Sequence, residues 1–482
     1  MRRSVLLIAL AVVVEAAAQS ASPIDEAFTR LFLADDPAAA AVEADKIAGS
    51  GVSFDEAWTR LKKGRPYVFE KKGEFSLRWK SNAGPYFNNI VDVPAGYDPA
   101  RQWPLRVQLH GGVGRPSPNA VAPRPGQGDA PASPLRALNR IPGEPQIYAH
   151  PSGWADAQWW DTDQVANILR LVDTLKRRYN IDESRIYLTG ISDGGTGVYY
   201  MAMKAPTTWA SYLPLNGSIA VLRGAENGAD GELYGNNLIN APFYIVNGEQ
   251  DPLYPVWHVE PHIAWFKQLG VPLVFRPQAG AVHNTAWWPT ERAPYESFVH
   301  AHPRPAQPAA LTWETERVDA FNRNHWLVID SLRPGGSQDP ALADAGFFRH
   351  TARSGRVNIT RTGNSFDAKT RDVGSFTLLL SPDVVDFSKP ITVTVNGARA
   401  FQGSVKKDPA VLLRWAARDN DRTMLYGAEL SIKVPEFQGS KVPEFEGRRF
   451  QSSRVPTGQR FRNLEFWNTE TLELWNLRTL ER

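Results

Sequence analysis

The chain has 482 residues, 42% of them hydrophobic, enough to build more than one core. Its formal charge of +3 is nearly balanced, so the total points neither to nucleic acid nor to an anionic membrane. With no cysteine it forms no disulfide, and a chain of this size does without one because its cores are large.

The first residues, MRRSVLLIALAVVVEAAAQS, have the layout of an export signal. Arg2 and Arg3 supply the positive end, residues 5–14 the apolar core, and Ala16, Ala17 and Ala18 a small-residue cleavage site. That run is too short to span a bilayer comfortably, and no other stretch is apolar and long enough. The expectation is an exported bacterial protein, periplasmic or secreted, whose mature chain starts near Gln19. Residues 23–65 alternate Ala-rich and charged segments and read as helices, with Asp25 and Ser53 as caps. A strand-rich entry follows at 74–93.

From Pro104 the pattern changes. LRVQLHG (105–111), QIYAHPSG (146–153), RIYLTG (185–190), YLPLNGS (212–218), FYIVNGEQD (243–251) and LVFRPQAG (273–280) are short apolar runs closed by Gly, Pro or polar residues. Helical patterns separate several of them, for example VANILRLVDTLKRRY (165–179) and VWHVEPHIAWFKQLG (256–270). Buried strands alternating with helices predict a mostly parallel sheet covered on both faces. Reactive groups of such sheets sit just past the carboxyl ends of the strands. The Pro-rich stretch HPRPAQPAA (302–310) then marks a boundary, and alternating segments such as RVNIT and ITVTV predict an all-β, sandwich-like module. The stretch beyond Pro435 repeats VPEF, is polar and charged, and reads as a poorly ordered tail.

The segment GISDG (190–194) fits G-x-S-x-G, a tight strand-to-helix turn that lifts a serine hydroxyl out of the backbone. An ordinary glycine-rich loop fits the same five residues. A serine is a poor nucleophile until a base takes its proton, and the base needs an acid to orient it. In hydrolases of this turn type the chain order is Ser, acid, His. Downstream of Ser192 the acid candidate is Asp251, on the bend after FYIVNG, with Glu249 as competitor and Asp230 weaker. The base candidate is His283, on the loop after LVFRPQ. His110 and His150 precede Ser192, and His258 and His262 lie four apart on a helical stretch with no third ligand in sight, so no metal site is expected. The turn His110-Gly111-Gly112-Val113 offers backbone N–H groups to an oxyanion at Gly112 and Val113, and the N–H of Asp193 is the second expected donor.

Taken together, LRVQLHGG, YNIDESRIYLTGISDGG, NGEQDPLYP and AGAVHNTAWWP resemble α/β-hydrolase esterases of the polyhydroxybutyrate-depolymerase, feruloyl-esterase and phospholipase/carboxylesterase group, over residues 85–300. The resemblance implies an α/β-hydrolase fold with nucleophile Ser192, acid Asp251 and base His283. It also implies oxyanion donors near Gly112, Val113 and Asp193, and no cofactor. The chain departs from the depolymerases in lacking the cysteine that often follows their oxyanion His-Gly. A long Pro-rich stretch, RPSPNAVAPRPGQGDAP, adjoins the expected pocket. The organisation expected is a signal peptide at 1–18, a helical segment at 19–73, a catalytic domain at 74–303, a β-sandwich-like domain at 311–434 and a tail at 435–482.

Trp154, Trp160, Tyr254, Trp287 and Trp288 all fall on loops expected to converge at the sheet top, so an aromatic-lined cleft for a small or carbohydrate-linked ester is one expectation. Packing of the loops themselves is the other. Two further readings stay open: a serine peptidase of the prolyl-oligopeptidase type, and a silent binding protein on a hydrolase fold. Residues 19–100 are too few for the propeller the peptidase would carry.

Overall fold

The computed structural model describes residues 22–435 except 69, 83, 117–140 and 334–346. The expected signal peptide, the Pro-rich stretch from 117 onward and the tail from 436 lie outside the described residues.

Eight strands build one sheet in the order β1-β2-β4-β3-β5-β6-β7-β8. They are β1 (Gly73–Lys80), β2 (Tyr86–Val93), β3 (Trp103–Leu109), β4 (Ile147–His150), β5 (Ile181–Ile191), β6 (Tyr212–Leu215), β7 (Phe243–Gly248) and β8 (Leu273–Gln278). β1 and β2 pair antiparallel, as do β2 and β4, and every later pair is parallel. The continuous apolar runs exist because both faces are covered. Ile186 and Leu188 of β5 and Phe243 and Ile245 of β7 join the larger core with α4 (Thr162–Arg178), α5 (Asp193–Lys204) and α6 (Val256–Leu269). Tyr187, Ile191, Tyr244 and Val246 face the other way, onto α7 (Trp288–Ala301). α7 is also clamped by a buried bidentate pair in which Arg106 of β3 donates to Glu296 at 2.7 Å through each of two nitrogens.

Three helices precede the sheet: α1 (Pro23–Leu33), α2 (Pro37–Gly49) and α3 (Phe54–Lys63). Ser53 caps α3 through the Glu56 N–H. The cap of α1 is Ser22 rather than Asp25, because Asp25 sits at the third helical position and reaches back to Ser22, completing a capping box. These helices bury Phe28, Leu31, Ile47, Ala57 and Leu61 against Leu412, Leu413, Ala416 and Ala417 of α8 (Pro409–Asp419). Thus the N-terminal helices close over a helix from the far end of the chain.

After the linker, one sheet runs β10 (Arg323–Asn324), β11 (Leu327–Leu332), β14 (Val373–Leu380), β17 (Ala428–Lys433). The other runs β16 (Ala398–Gly403), β15 (Ile391–Val395), β13 (Ser365–Arg371), β12 (Gly355–Thr362), β9 (Ala310–Thr315). Trp313, Ile329, Val357, Phe376 and Val393 from the two sheets share a single core, which makes the module a sandwich. Arg304 of the linker is buried and donates to the Glu183 carbonyl, Asp421 and Thr423, while Arg422 pairs with Glu183 at 2.7 Å. These bonds tie the module to the start of β5. The described residues up to Pro435 accordingly form one compact unit. No helix among them is long and apolar enough to cross a membrane.

Candidate active site

β5 ends at Ile191 and α5 begins at Asp193, so Ser192 alone makes the turn. It adopts φ 57° and ψ −121°, a strained conformation worth about 1–3 kcal/mol. The flanking glycines are a spatial requirement. A Cβ on Gly190 would lie 2.1 Å from the Gly194 carbonyl oxygen, and one on Gly194 would lie 2.2 Å from that of Leu109. The Ser192 N–H donates to the Leu215 carbonyl at 2.9 Å, which fixes the elbow to β6.

The downstream candidates meet the serine. His283 Nε2 lies 2.9 Å from Ser192 Oγ, and His283 Nδ1 lies 2.7 Å from Asp251 Oδ2. Asp251 is buried, and its Oδ1 accepts the N–H groups of Leu253 at 2.8 Å and Tyr254 at 3.0 Å. Both carboxylate oxygens are therefore committed. The neutral imidazole carries its proton on Nδ1 toward Asp251, which leaves the Nε2 lone pair facing the serine hydroxyl. The competitors are engaged elsewhere. Glu249 accepts the Gly280 N–H at 2.8 Å, and Asp230 accepts the Thr162 N–H at 2.7 Å at the start of α4.

The strand order, the turn at the carboxyl end of β5 and the Ser-Asp-His order at successive strand ends decide the architecture. The chain has the α/β-hydrolase fold. In this fold the loop after β3 faces the nucleophile, and here Gly111 does so closely: a Cβ on it would meet Ser192 Cβ at 2.9 Å. His110 is structural. Its Nε2 accepts the Gly153 N–H at 3.0 Å, its Nδ1 lies 2.8 Å from the Gly111 carbonyl, and its ring meets Trp159 edge-on. Sequence reasoning named Val113 as an oxyanion donor, and the geometry corrects this: the Val113 N–H is spent on Asp193 Oδ2 at 2.9 Å. No described residue accepts the N–H of Gly112 or of Asp193.

The aromatic cleft also needs correction. Trp154 is buried against Phe87, with ring centroids 5.1 Å apart. Trp160 is buried and donates to Gln158 and to the Asn227 carbonyl. Trp287 and Trp288 pack edge-on in the core under α7, and Trp288 donates to the Pro142 carbonyl. All four are buried, as the packing expectation has it. Tyr254 stands by the triad, its ring edge-on to His283 at 5.8 Å. Burial pushes its phenol pKa up, with the Asp193 and Asp251 charges adding to the shift. Sequence reasoning missed Asn216, a positive-φ residue (46°) in the LNGS turn whose side chain donates to the Asn284 carbonyl at 2.8 Å and steadies the loop carrying His283. The signal was an Asn-Gly at a strand end. His258 and His262 contact each other on α6, and no group of three metal-ligating side chains occurs among the described residues.

No family model matches the chain. A stretch of 74 residues is 30% identical to the bifunctional acetylxylan esterase/xylanase XynS20E of Neocallimastix patriciarum, spanning 15% of this chain and 11% of that protein. Similar solved structures include a thermostable esterase, 21% identical over 48% of this chain and 63% of its own, with a TM-score of 0.36. Another is Est1E from Butyrivibrio proteoclasticus, 17% identical over 47% of this chain and 98% of its own, with a TM-score of 0.34. A third is the Pyrococcus horikoshii acylaminoacyl peptidase, 13% identical over 50% of this chain and 43% of its own, with a TM-score of 0.36.

Proposed function

We propose that this protein is an exported serine carboxylic-ester hydrolase acting on a small or carbohydrate-linked ester. The observation that carries the reading is the hydrogen-bonded chain from Ser192 Oγ through His283 to the buried Asp251 carboxylate, at 2.9 and 2.7 Å. In this reading Ser192 attacks the ester carbonyl carbon while His283 Nε2 takes the hydroxyl proton. The buried Asp251 stabilises the imidazolium and holds its tautomer. Negative charge on the carbonyl oxygen is met by the N–H groups of Gly112 and Asp193. Collapse of the tetrahedral intermediate expels the alcohol, which takes the proton from His283, and leaves an acyl group on Ser192. Water, deprotonated by His283, then releases the acid and restores the serine. Acyl transfer of this kind uses only protein groups.

Residues 74–303 are the catalytic domain in this reading, and 311–434 an accessory β-module fixed to it. The test is hydrolysis of p-nitrophenyl acetate and butyrate by the chain from Gln19, beside Ser192→Ala. Turnover abolished by the substitution in a folded protein is the expected result. A folded wild-type chain inert to both esters would overturn the reading and turn attention to peptides and to ligand binding. Export is tested separately, by fractionating cells expressing the full chain: retention in the cytoplasm with residues 1–18 uncleaved refutes it.

A further inference from the structure

Asp193 follows the nucleophile, and its side chain does something the reaction as described does not require. Its Oδ2 accepts the Val113 N–H at 2.9 Å, joining the first residue of α5 to a loop eighty residues earlier in the chain. The two segments joined are those that carry Gly112 and Asp193, the oxyanion donors of the esterase reading. Val113 itself is fully buried, so the bond anchors the end of the loop, and Gly112 before it holds φ 71°. Among the described residues nothing else donates to the Asp193 carboxylate, and the residue is half-buried. Its charge adds to the upward shift of the Tyr254 phenol pKa, after burial, and that ring stands edge-on to His283 at 5.8 Å.

We infer that the Asp193 side chain has two tasks: one oxygen positions the oxyanion loop through Val113, and the charge selects against esters whose acyl group is itself anionic. The inference rests on the esterase reading above. The positioning part follows from hydrogen-bond geometry, since a loop released by a fraction of an ångström no longer aims its N–H at the oxyanion. The selective part follows from Coulomb's law. By covalent reach, an ester carbonyl held at the Asp193 N–H lies within roughly 5–8 Å of the carboxylate, and a charge at the far end of a five-carbon acyl group about 10 Å away. At that distance, in a partly solvated site, a second negative charge is disfavoured roughly fourfold. The Val113 N–H and the N-terminus of α5 make the buried side of the charge tolerable to the protein itself.

Two variants separate the tasks. In Asp193→Asn the amide oxygen still accepts the Val113 N–H, and the charge is gone. In Asp193→Ala both are gone. Each is assayed on p-nitrophenyl pentanoate and on mono-p-nitrophenyl glutarate, which carries a carboxylate in place of the terminal methyl group, with Ser192→Ala supplying the background. Because the oxyanion forms with both esters, its own repulsion by Asp193 cancels in the ratio of the two kcat/KM values. The expected result is a glutarate-to-pentanoate ratio that rises roughly fourfold in Asp193→Asn. Relative to Asp193→Asn, kcat on the neutral ester is expected to fall at least tenfold in Asp193→Ala. An unchanged ratio in Asp193→Asn overturns the selective task, and equal kcat in Asn and Ala overturns the positioning task. If the alanine variant does not fold, the asparagine ratio still decides. A wild-type chain inert to both esters removes the esterase reading and this inference together, whereas wild-type turnover with an unmoved ratio removes this inference alone.

Discussion

Replacing Asp251 with asparagine changes a single atom of the site and tests the whole arrangement. In the wild type, Oδ1 accepts two backbone N–H groups and Oδ2 accepts the imidazole Nδ1–H. The amide of Asp251→Asn keeps its oxygen on the Leu253 and Tyr254 N–H groups and turns its NH2 toward His283. Two donors then face each other, and the imidazole escapes by moving its proton to Nε2. The nitrogen 2.9 Å from Ser192 Oγ becomes a donor and cannot take the hydroxyl proton. The expected loss in kcat is about 10⁴-fold, or about 5.5 kcal/mol of transition-state stabilisation. Folding stability moves little, because the shape and two of the three hydrogen bonds persist. The assay is kcat for p-nitrophenyl butyrate beside a thermal melt. A variant whose kcat stays within tenfold of wild type would refute the tautomer argument. A collapse of the melt would show that Asp251 serves the fold more than the imidazole.

Three further perturbations test other parts of the structure. Arg304→Ala strips a buried carboxylate of its partner: burial works against the Asp421 charge, and the Arg304 and Lys176 charges overcome it to hold its pKa below the usual range. Urea unfolding should show a loss of about 3–5 kcal/mol, and a loss below 1 kcal/mol would mean the β-module is not held at this point. Gly190→Ala puts a methyl group on the Gly194 carbonyl, so little soluble, active protein is expected, and wild-type turnover would refute the elbow geometry. His262, against Phe347 on α6, has its pKa lowered to about 4 by burial first and by the His258 and Arg223 charges next. A depressed folded pKa gives stability that is present above about pH 6.5 and lost as pH falls toward 4, because the unfolded chain takes up the proton first. His262→Phe should remove about 1–2 kcal/mol of that decline after solvent screening, seen as a flatter melt-versus-pH curve between pH 6.5 and 4.

The meeting of Ser192, His283 and Asp251 was legible because it is carried by local patterns. A glycine on each side of Ser192, an Asp-Pro bend after β7 and a histidine on a glycine loop after β8 are each dictated within a few residues. Chain order then arranged them at neighbouring strand ends. The sheet was legible for the same reason: a strand buried on both faces must read as an unbroken apolar run, and β7 does.

Tertiary packing decided the rest. A tryptophan on a loop looks the same in sequence whether it lines a cleft or fills a core, and only the neighbours of Trp154, Trp160, Trp287 and Trp288 settled that. An amphipathic helix declares that it has a buried face without naming its partner, so the docking of α1–α3 onto α8 could not be read from either segment alone. The capture of the Val113 N–H by Asp193 is of this kind too, joining residues eighty apart whose local patterns each foretold a free donor. Local sequence sets the conformation and chemistry of a residue. Which distant group it meets depends on the sum of packing across the folded chain, and no short window of sequence holds that sum.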